Sequence, residues 1–277
     1  TLGKVMESVM TEILSYLTET YELLPTQHFG GRPGRSAEDA LMILSESIYR
    51  AWKEKKVFTA IFMDVAGAFN NVHHKRLIHN MRKRGVPESI SRWIGSFLQG
   101  RSTHLRFNGE ETERISTPAG VPQGSPLSPL LYMYYNADLL EIASECQYTK
   151  LGFIDDIAYG IQGKSAKANI RALQKIMKET ENWRRKHGAQ FERSKYILIH
   201  FTRNSNIESN TSLTINGLTI TSSKEAKYLG VIFDKELRFR THLQYVAKKG
   251  TSAVMALSSI AKCNWGAPFK HVRQLFL

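Results

Sequence analysis

The stretch LGFIDDIAYG, residues 151–160, sets two acids, Asp155 and Asp156, side by side in an otherwise apolar run. Side chains alternate across a strand, so at most one of two neighbours can face solvent comfortably. Two carboxylates about 4 Å apart repel by roughly 4 kcal/mol at an effective dielectric near 20. A fold that keeps such a pair brings a cation to it, sets it at a turn, or does both. YTKLGFI and IAYGI bracket the acids as the two arms of a hairpin, which supplies the turn. The cation sends the search to acids elsewhere in the chain.

The surrounding composition suits a large soluble fold. The chain has 277 residues, 42% hydrophobic and 23% charged, enough for one large domain or two lobes. Lys plus Arg number 38 against 25 Asp plus Glu, a net charge of +13. Such an excess points to a polyanionic partner, nucleic acid first and an acidic membrane surface second. No run of 18 apolar residues and no signal peptide appears, so a membrane partner is not expected. Cys146 and Cys263 lack metal-ligand spacing and give no disulfide framework, which fits a reducing, intracellular compartment.

Helical and strand patterns interleave along the chain. Leu2, Val5, Met6, Val9, Met10, Ile13, Leu14 and Leu17 follow the helical period. After the loop PTQHFGGRPGRS, Ser36 and Asp39 form a capping-box pattern for a second helix. VFTAIFM (57–63) reads as a buried strand, with helical stretches around 75–84 and 88–98 and a hairpin at Asn108-Gly109. Ser128-Pro129 reads as a serine cap and first-turn proline of another helix. A long helix runs from about 166 to a stop at Gly188. KYILIHF, a hairpin at Asn216-Gly217 and AKYLGVIF supply the last strands, and a basic helix begins near 240. The mixture is of the α+β class.

A second acid has a comparable setting, because Asp64 ends the strand VFTAIFMD. Three carboxylates meeting on one sheet edge would hold two divalent metals about 3.5–4 Å apart, as in-line phosphoryl transfer requires. Hard oxygen ligands favour Mg²⁺. The plainer reading is that Asp64 caps a turn and the pair forms a hairpin tip. Spacing alone leaves both open.

FMDVAGAFNNV, GVPQGSPLSPLLYMYYNADL and FIDD, in that order, resemble the palm motifs of reverse transcriptases, most closely those of non-LTR (LINE-like) retrotransposons. QHFGGRPGRSAEDAL upstream and FERSKYILIHF and KYLGVIFD downstream extend the resemblance from about residue 1 to about 245. It implies a right-hand polymerase: fingers at 1–56, a palm at 57–234 with inserted fingers elements at about 75–120, and the start of a thumb at 235–277. It makes Asp64, Asp155 and Asp156 the metal-binding acids, with the carbonyl of Val65 a further ligand and Mn²⁺ a substitute for Mg²⁺. Phe69 takes the position of the aromatic against the sugar of the incoming nucleotide, and Gln123 that of the glutamine lying along it. Arg32 matches a fingers arginine that meets the triphosphate, a role that guanidinium suits. Lys195 resembles the lysine near the leaving pyrophosphate, and Tyr228, Leu229 and Gly230 resemble the primer-grip turn.

Each residue also has a bland reading: Phe69 as core, Gln123 as loop, Arg32 and Arg35 as solvated charges, Lys195 as a solvated strand start, 228–230 as plain strand. The pair His73-His74 reads as a polar helix start rather than a metal site. The chain departs from the family with Asn70 where aspartate is frequent and Gly31 where phenylalanine is frequent. The family's Arg-Pro-Ile stretch is missing ahead of TLGKVMESVM, and HVRQLFL stops inside the thumb pattern. The expectation is a polymerase core cut at both ends, with endonuclease and remaining thumb as other segments of a polyprotein. The expected function is RNA-directed DNA polymerase acting on an RNA template, a DNA primer and dNTPs, in the nucleus or the cytoplasm. The alternatives are a catalytically weak or inactive nucleic-acid-binding remnant and a metal-dependent nuclease that uses the same acids.

Overall fold

The computed structural model describes residues 2–142, 148–204, 211–262, 265–266 and 273; Cys146 and Cys263 lie outside them. A seven-stranded sheet forms the centre. Its order is His28–Phe29, Tyr148–Phe153, Asp156–Gly163, Val57–Ala66, Ile197–Phe201 and Ser222–Ser223, with Gln190–Phe191 joined to the end of Val57–Ala66. The four middle strands pair antiparallel, while His28–Phe29 and Ser222–Ser223 add parallel contacts at the margins.

Both faces of this sheet are covered, which is why its strands read as continuous apolar runs. Ile61, Met63, Val65, Ile157, Tyr159, Ile161 and Leu198 point into a core shared with helices His74–Lys83, Glu88–Leu98, Ser128–Asn136 and Ala166–His187. The alternate residues Phe58, Ala60, Phe62, Ala158, Ile199 and Phe201 pack on the helix Ala37–Lys53 and on the hairpin Glu225–Tyr228/Val231–Asp234. Asp64 and Asp156 continue this second stripe by the period of two.

Local signals carry through to the fold at several places. Ser36 and Asp39 form the capping box, and the long helix stops at Gly188 in the left-handed region, φ 62°. Hairpins turn at Asn108-Gly109 and Asn216-Gly217. Elsewhere tertiary pairing changes the outcome. The strand expected to end at Asp64 continues to Ala66, because Gln190–Phe191 supplies partners for Val65 and Ala66. Ser128 lies inside its helix rather than capping it, and its Oγ donates to the Pro122 carbonyl. AKYLGVIF folds back on itself as two strands around Leu229 and Gly230, both with positive φ. The first helix, Leu2–Thr20, buries Leu14 but leaves Leu2, Val5, Met6, Val9 and Ile13 exposed. No helix among the described residues is long and apolar enough to cross a membrane.

Candidate active site

Sheet register brings the acids together. Asp64 lies directly opposite Asp156 in the antiparallel pair, so their side chains leave the same face as near neighbours. Phe153 and Asp156 close the hairpin, leaving Ile154 and Asp155 as a two-residue turn. Ile154 has φ 54°, a conformation that a β-branched residue adopts only under constraint. The constraint is visible on both sides of the turn. The Ile154 N–H donates to the Phe29 carbonyl at 3.3 Å, and Asn136 Nδ2 donates to the Ile154 carbonyl at 2.6 Å. The short strand His28–Phe29 and the helix Ser128–Asn136 therefore hold the turn that presents Asp155.

The acids share one electrostatic problem. Burial, then the charges of Asp155 and Asp64, push the Asp156 carboxyl up to about 6. Asp155 is raised as well, by burial first, with the Asp64 charge adding. The counter-charge comes from Lys195, whose Nζ donates to Asp64 Oδ2 at 2.6 Å. That contact raises the lysine's own pKa. Lys195 reaches Asp64 because the Glu192 N–H bonds the Asp64 carbonyl and residues 193–195 form a short 3₁₀ turn.

Among the described residues no three His, Cys, Asp or Glu side chains form a ready-made metal cage. The donor set nevertheless suits a hard divalent cation: three carboxylates, oxygen only, with Asp155 and Asp156 desolvated beyond what one exposed lysine offsets.

The remaining expected residues fall into three groups. Tyr228 and Leu229 join the acids, lining with Phe62, Asp64, Asp156, Lys195 and Lys227 a cavity of about 340 Å³. The Tyr228 ring lies tilted 4.9 Å from Phe62, and burial, then Asp156, raises its hydroxyl pKa. Gly230 completes the turn, and Val65 is buried beside Asp64 with its backbone in register with Phe191.

Phe69 and Gln123 meet each other through a second junction. The Val121 N–H donates to the Phe69 carbonyl at 2.7 Å, and Gln123 Nε2 donates to Asn70 Oδ1 at 3.2 Å. A Cβ on Gly120 would stand 2.8 Å from the Asn70 carbonyl, so only glycine lets these loops approach so closely. The half-buried Phe69 ring lies 5.6 Å from Tyr132.

Arg32 belongs to neither group. Its side chain is 2% exposed and forms a bidentate pair with Glu19, and Nη1 donates to the carbonyls of Pro25 and His28. Four of its five N–H donors are thus engaged within the protein. Arg35 shares Glu19 at 3.7 Å. His73 opens its helix, and His74 Nε2 lies 2.7 Å from the Gly120 carbonyl, so both behave as helix-start and backbone contacts. Lys248 and Lys249 stand exposed on the helix Arg240–Ile260, with Lys249 5.0 Å from the Tyr245 ring.

Two residues escaped the sequence reading. Asn136 holds the Asp155 turn, and Tyr132 buries an unpartnered hydroxyl whose pKa is raised by burial, then by Asp155. The only sequence signal was the cluster of polar atoms on Tyr132, Tyr134, Tyr135 and Asn136 inside an otherwise apolar helix.

The sequence matches the family described as "Reverse transcriptase (RNA-dependent DNA polymerase)" over residues 1–233. It is 28% identical over 253 residues to the "Probable RNA-directed DNA polymerase from transposon BS" of Drosophila melanogaster, covering 90% of this chain and 28% of that protein. It is also 28% identical to the "RNA-directed DNA polymerase from mobile element jockey" of Drosophila funebris, covering 87% of this chain and 27% of that one. The chain thus spans little more than a quarter of these relatives. In fold it resembles apo telomerase from Candida tropicalis, with a TM-score of 0.57 at 15% identity, over 85% of this chain and 40% of that one.

Proposed function

The chain belongs to the reverse transcriptase (RNA-dependent DNA polymerase) family, and on that premise we propose that it is the polymerase core of a LINE-like retrotransposon protein. The observation that carries this reading is the Asp64–Asp156 register pair beside the Asp155 turn, in one cavity with Lys195 and Tyr228. The reaction is attack of a primer 3′-hydroxyl on the α-phosphorus of a dNTP. A P–O bond forms to the primer, the bond to the bridging oxygen breaks, and pyrophosphate leaves.

Asp64, Asp155, Asp156 and the Val65 carbonyl would hold two Mg²⁺ ions, with Mn²⁺ as substitute. Bound there, the ions supply Lewis-acid activation of the hydroxyl and neutralise phosphoryl charge. The chain's own residues do the positioning. Phe69 packs against the sugar, Gln123 lies along the nucleotide, and Tyr228, Leu229 and Gly230 seat the primer end. Lys195, once a cation satisfies Asp64, is free to give a proton or a positive charge to the departing pyrophosphate. Residues 1–56 act as fingers, 57–234 as palm and 235–277 as the start of the thumb. The RNA template and DNA primer lie over the acid face, the other polyprotein segments supply further activities, and the work takes place in the nucleus.

Primer extension on an RNA template tests this directly. Synthesis that requires dNTPs and Mg²⁺, stops with EDTA and is lost in the Asp155→Asn/Asp156→Asn variant is the expected result. Binding of the same duplex without extension under any metal would leave a non-catalytic binder. Hydrolysis of the strand in place of extension would identify a nuclease.

A further inference from the structure

On the sheet face opposite the acids, the structure holds a positively charged cavity. It has a volume of about 500 Å³ and is lined by His73, Lys75, Arg76, His79, Arg185, Lys186, His187 and Gly188. Two separate segments build it: the start of the helix His74–Lys83 and the end of the helix Ala166–His187. They touch where Gly188 backs onto the His73 ring. Four lysines and arginines line it, and no aspartate or glutamate does.

Helix chemistry accounts for only half of this cluster. Arg185 and Lys186 stand in the last turn of their helix, where the negative end of the dipole favours cations. Lys75 and Arg76 stand at the opposite kind of end. Their helix has no acid in its first turn and no side-chain cap, so its positive terminus repels the very cations placed there. Leu77 and Met81 anchor that helix in the core, which holds the cluster in place against the repulsion. Burial lowers the His187 pKa, and the charges of Arg76 and Lys186 push it the same way, against the opposing Trp183 backbone contact and Asp138 charge.

We infer that this cavity binds the phosphates of a single-stranded nucleic acid, at a place separate from the catalytic cleft. The two helices share their core with Ile61, Met63, Val65 and Tyr159, whereas Asp64 and Asp156 lie on the alternate stripe. A strand in this cavity is therefore a different segment from the duplex over the acids. Lysine and arginine from two elements, without a closed cage, suit a chain of spaced phosphates. The choice of nucleic acid as the partner class rests on the polymerase reading.

The test compares two charge-matched variants of the same chain. One carries Lys75→Gln, Arg76→Gln, Arg185→Gln and Lys186→Gln. The control carries Lys164→Gln, Lys167→Gln, Arg171→Gln and Lys175→Gln, positions towards the other end of the long helix. Melting curves verify that both fold. Binding of a uridine homopolymer RNA is followed against salt, and primer extension on a preformed short duplex is measured in parallel.

Removing one cation that meets a phosphate of a single strand lowers the salt slope by about 0.7, so the cavity variant's slope falls by roughly 3. The control keeps its slope, and both variants extend the preformed duplex at the unaltered rate. An unchanged slope in the cavity variant, or an equal fall in the control, overturns the inference. Inorganic tripolyphosphate displacing the RNA at equal phosphate concentration would identify a small-anion site and overturn it as well. If the unaltered chain extends no primer, the polymerase reading fails while the RNA-binding comparison still stands to be read.

Discussion

Two places in this molecule bring opposite charges together, and they are built in contrasting ways. Around Arg32, one guanidinium meets both oxygens of Glu19 and two backbone carbonyls, so each buried polar atom in the contact has a partner. Around Asp64, three carboxylates converge, Asp155 and Asp156 desolvated, and the one lysine in contact, on Asp64, is 62% exposed. The first arrangement is complete as it stands and ties the first helix to the loop around His28. The second is under-compensated, and the energy it leaves unrecovered is what a cation would recover. A satisfied buried charge marks scaffold here, and an unsatisfied group of like charges marks the place for a ligand.

The largest effect that can break this contrast is on catalysis. Asp155→Asn or Asp156→Asn should slow primer extension by about 10²–10³-fold, the scale found when one preorganised electrostatic group is removed. Each should leave the melting temperature equal or higher, because like-charge repulsion is relieved. A variant that melts lower and still extends primers would make the acids structural. Arg32→Met should do the reverse. Leaving Glu19 without its partner costs about 3–5 kcal/mol, or a fall of roughly 6–20 °C at 2–4 °C per kcal/mol. Activity measured on the folded fraction should change little. If dNTP affinity collapses while stability holds, Arg32 meets the triphosphate after all.

The contrast also explains what could be read without a structure. Asp64, Asp155 and Asp156 were legible because each interrupts an apolar strand pattern, and the period of two puts Asp64 and Asp156 on one face. The capping box at Ser36 and the stop at Gly188 were legible because both are local. The Glu19 pairing of Arg32 was not legible because that partner belongs to a different element, and nothing in GGRPGRS records a buried carboxylate. Asn136 was missed for the same reason, its acceptor being the Ile154 carbonyl in a distant hairpin turn. The exposed face of Leu2–Thr20 shows the limit of periodicity, which reports an apolar stripe and not what covers it.

His28 sharpens the scaffold side. It is fully buried against the Gly152 backbone, and burial, with the charges of Arg32 and Arg84 adding, lowers its pKa to about 3. The unfolded chain therefore binds a proton before the folded one does. The stability contribution is complete above the ordinary value of 6.5 and is lost as pH falls towards 3. Melting temperature followed against pH should drop across that window, and His28→Gln should flatten the drop. An identical profile in the variant would move the acid sensitivity elsewhere. Asn136→Ala gives a smaller change, about 1–3 kcal/mol for the unmet Ile154 carbonyl. Its kcat should fall further than its stability, since the Asp155 turn loses its brace. Loss of stability with unchanged kcat would limit Asn136 to packing.

The smallest structural effect is expected at Lys195, and it tests the under-compensated side most finely. Its ammonium sits on Asp64 Oδ2 but is largely in solvent, where water and salt screen the pair. Lys195→Ala should therefore leave the melting temperature within error. Its consequence should appear in metal binding. A cation entering the site has to displace the lysine from Asp64, so removing the lysine should tighten the apparent affinity for Mn²⁺ several-fold, measured by titration without nucleotide. Primer extension should slow at the same time, because the positive charge near the leaving pyrophosphate is lost. A weakened affinity for Mn²⁺ would mean that Lys195 orients Asp64 for the metal instead of standing in its place. The contrast between the two charged sites would then need Lys195 on the scaffold side.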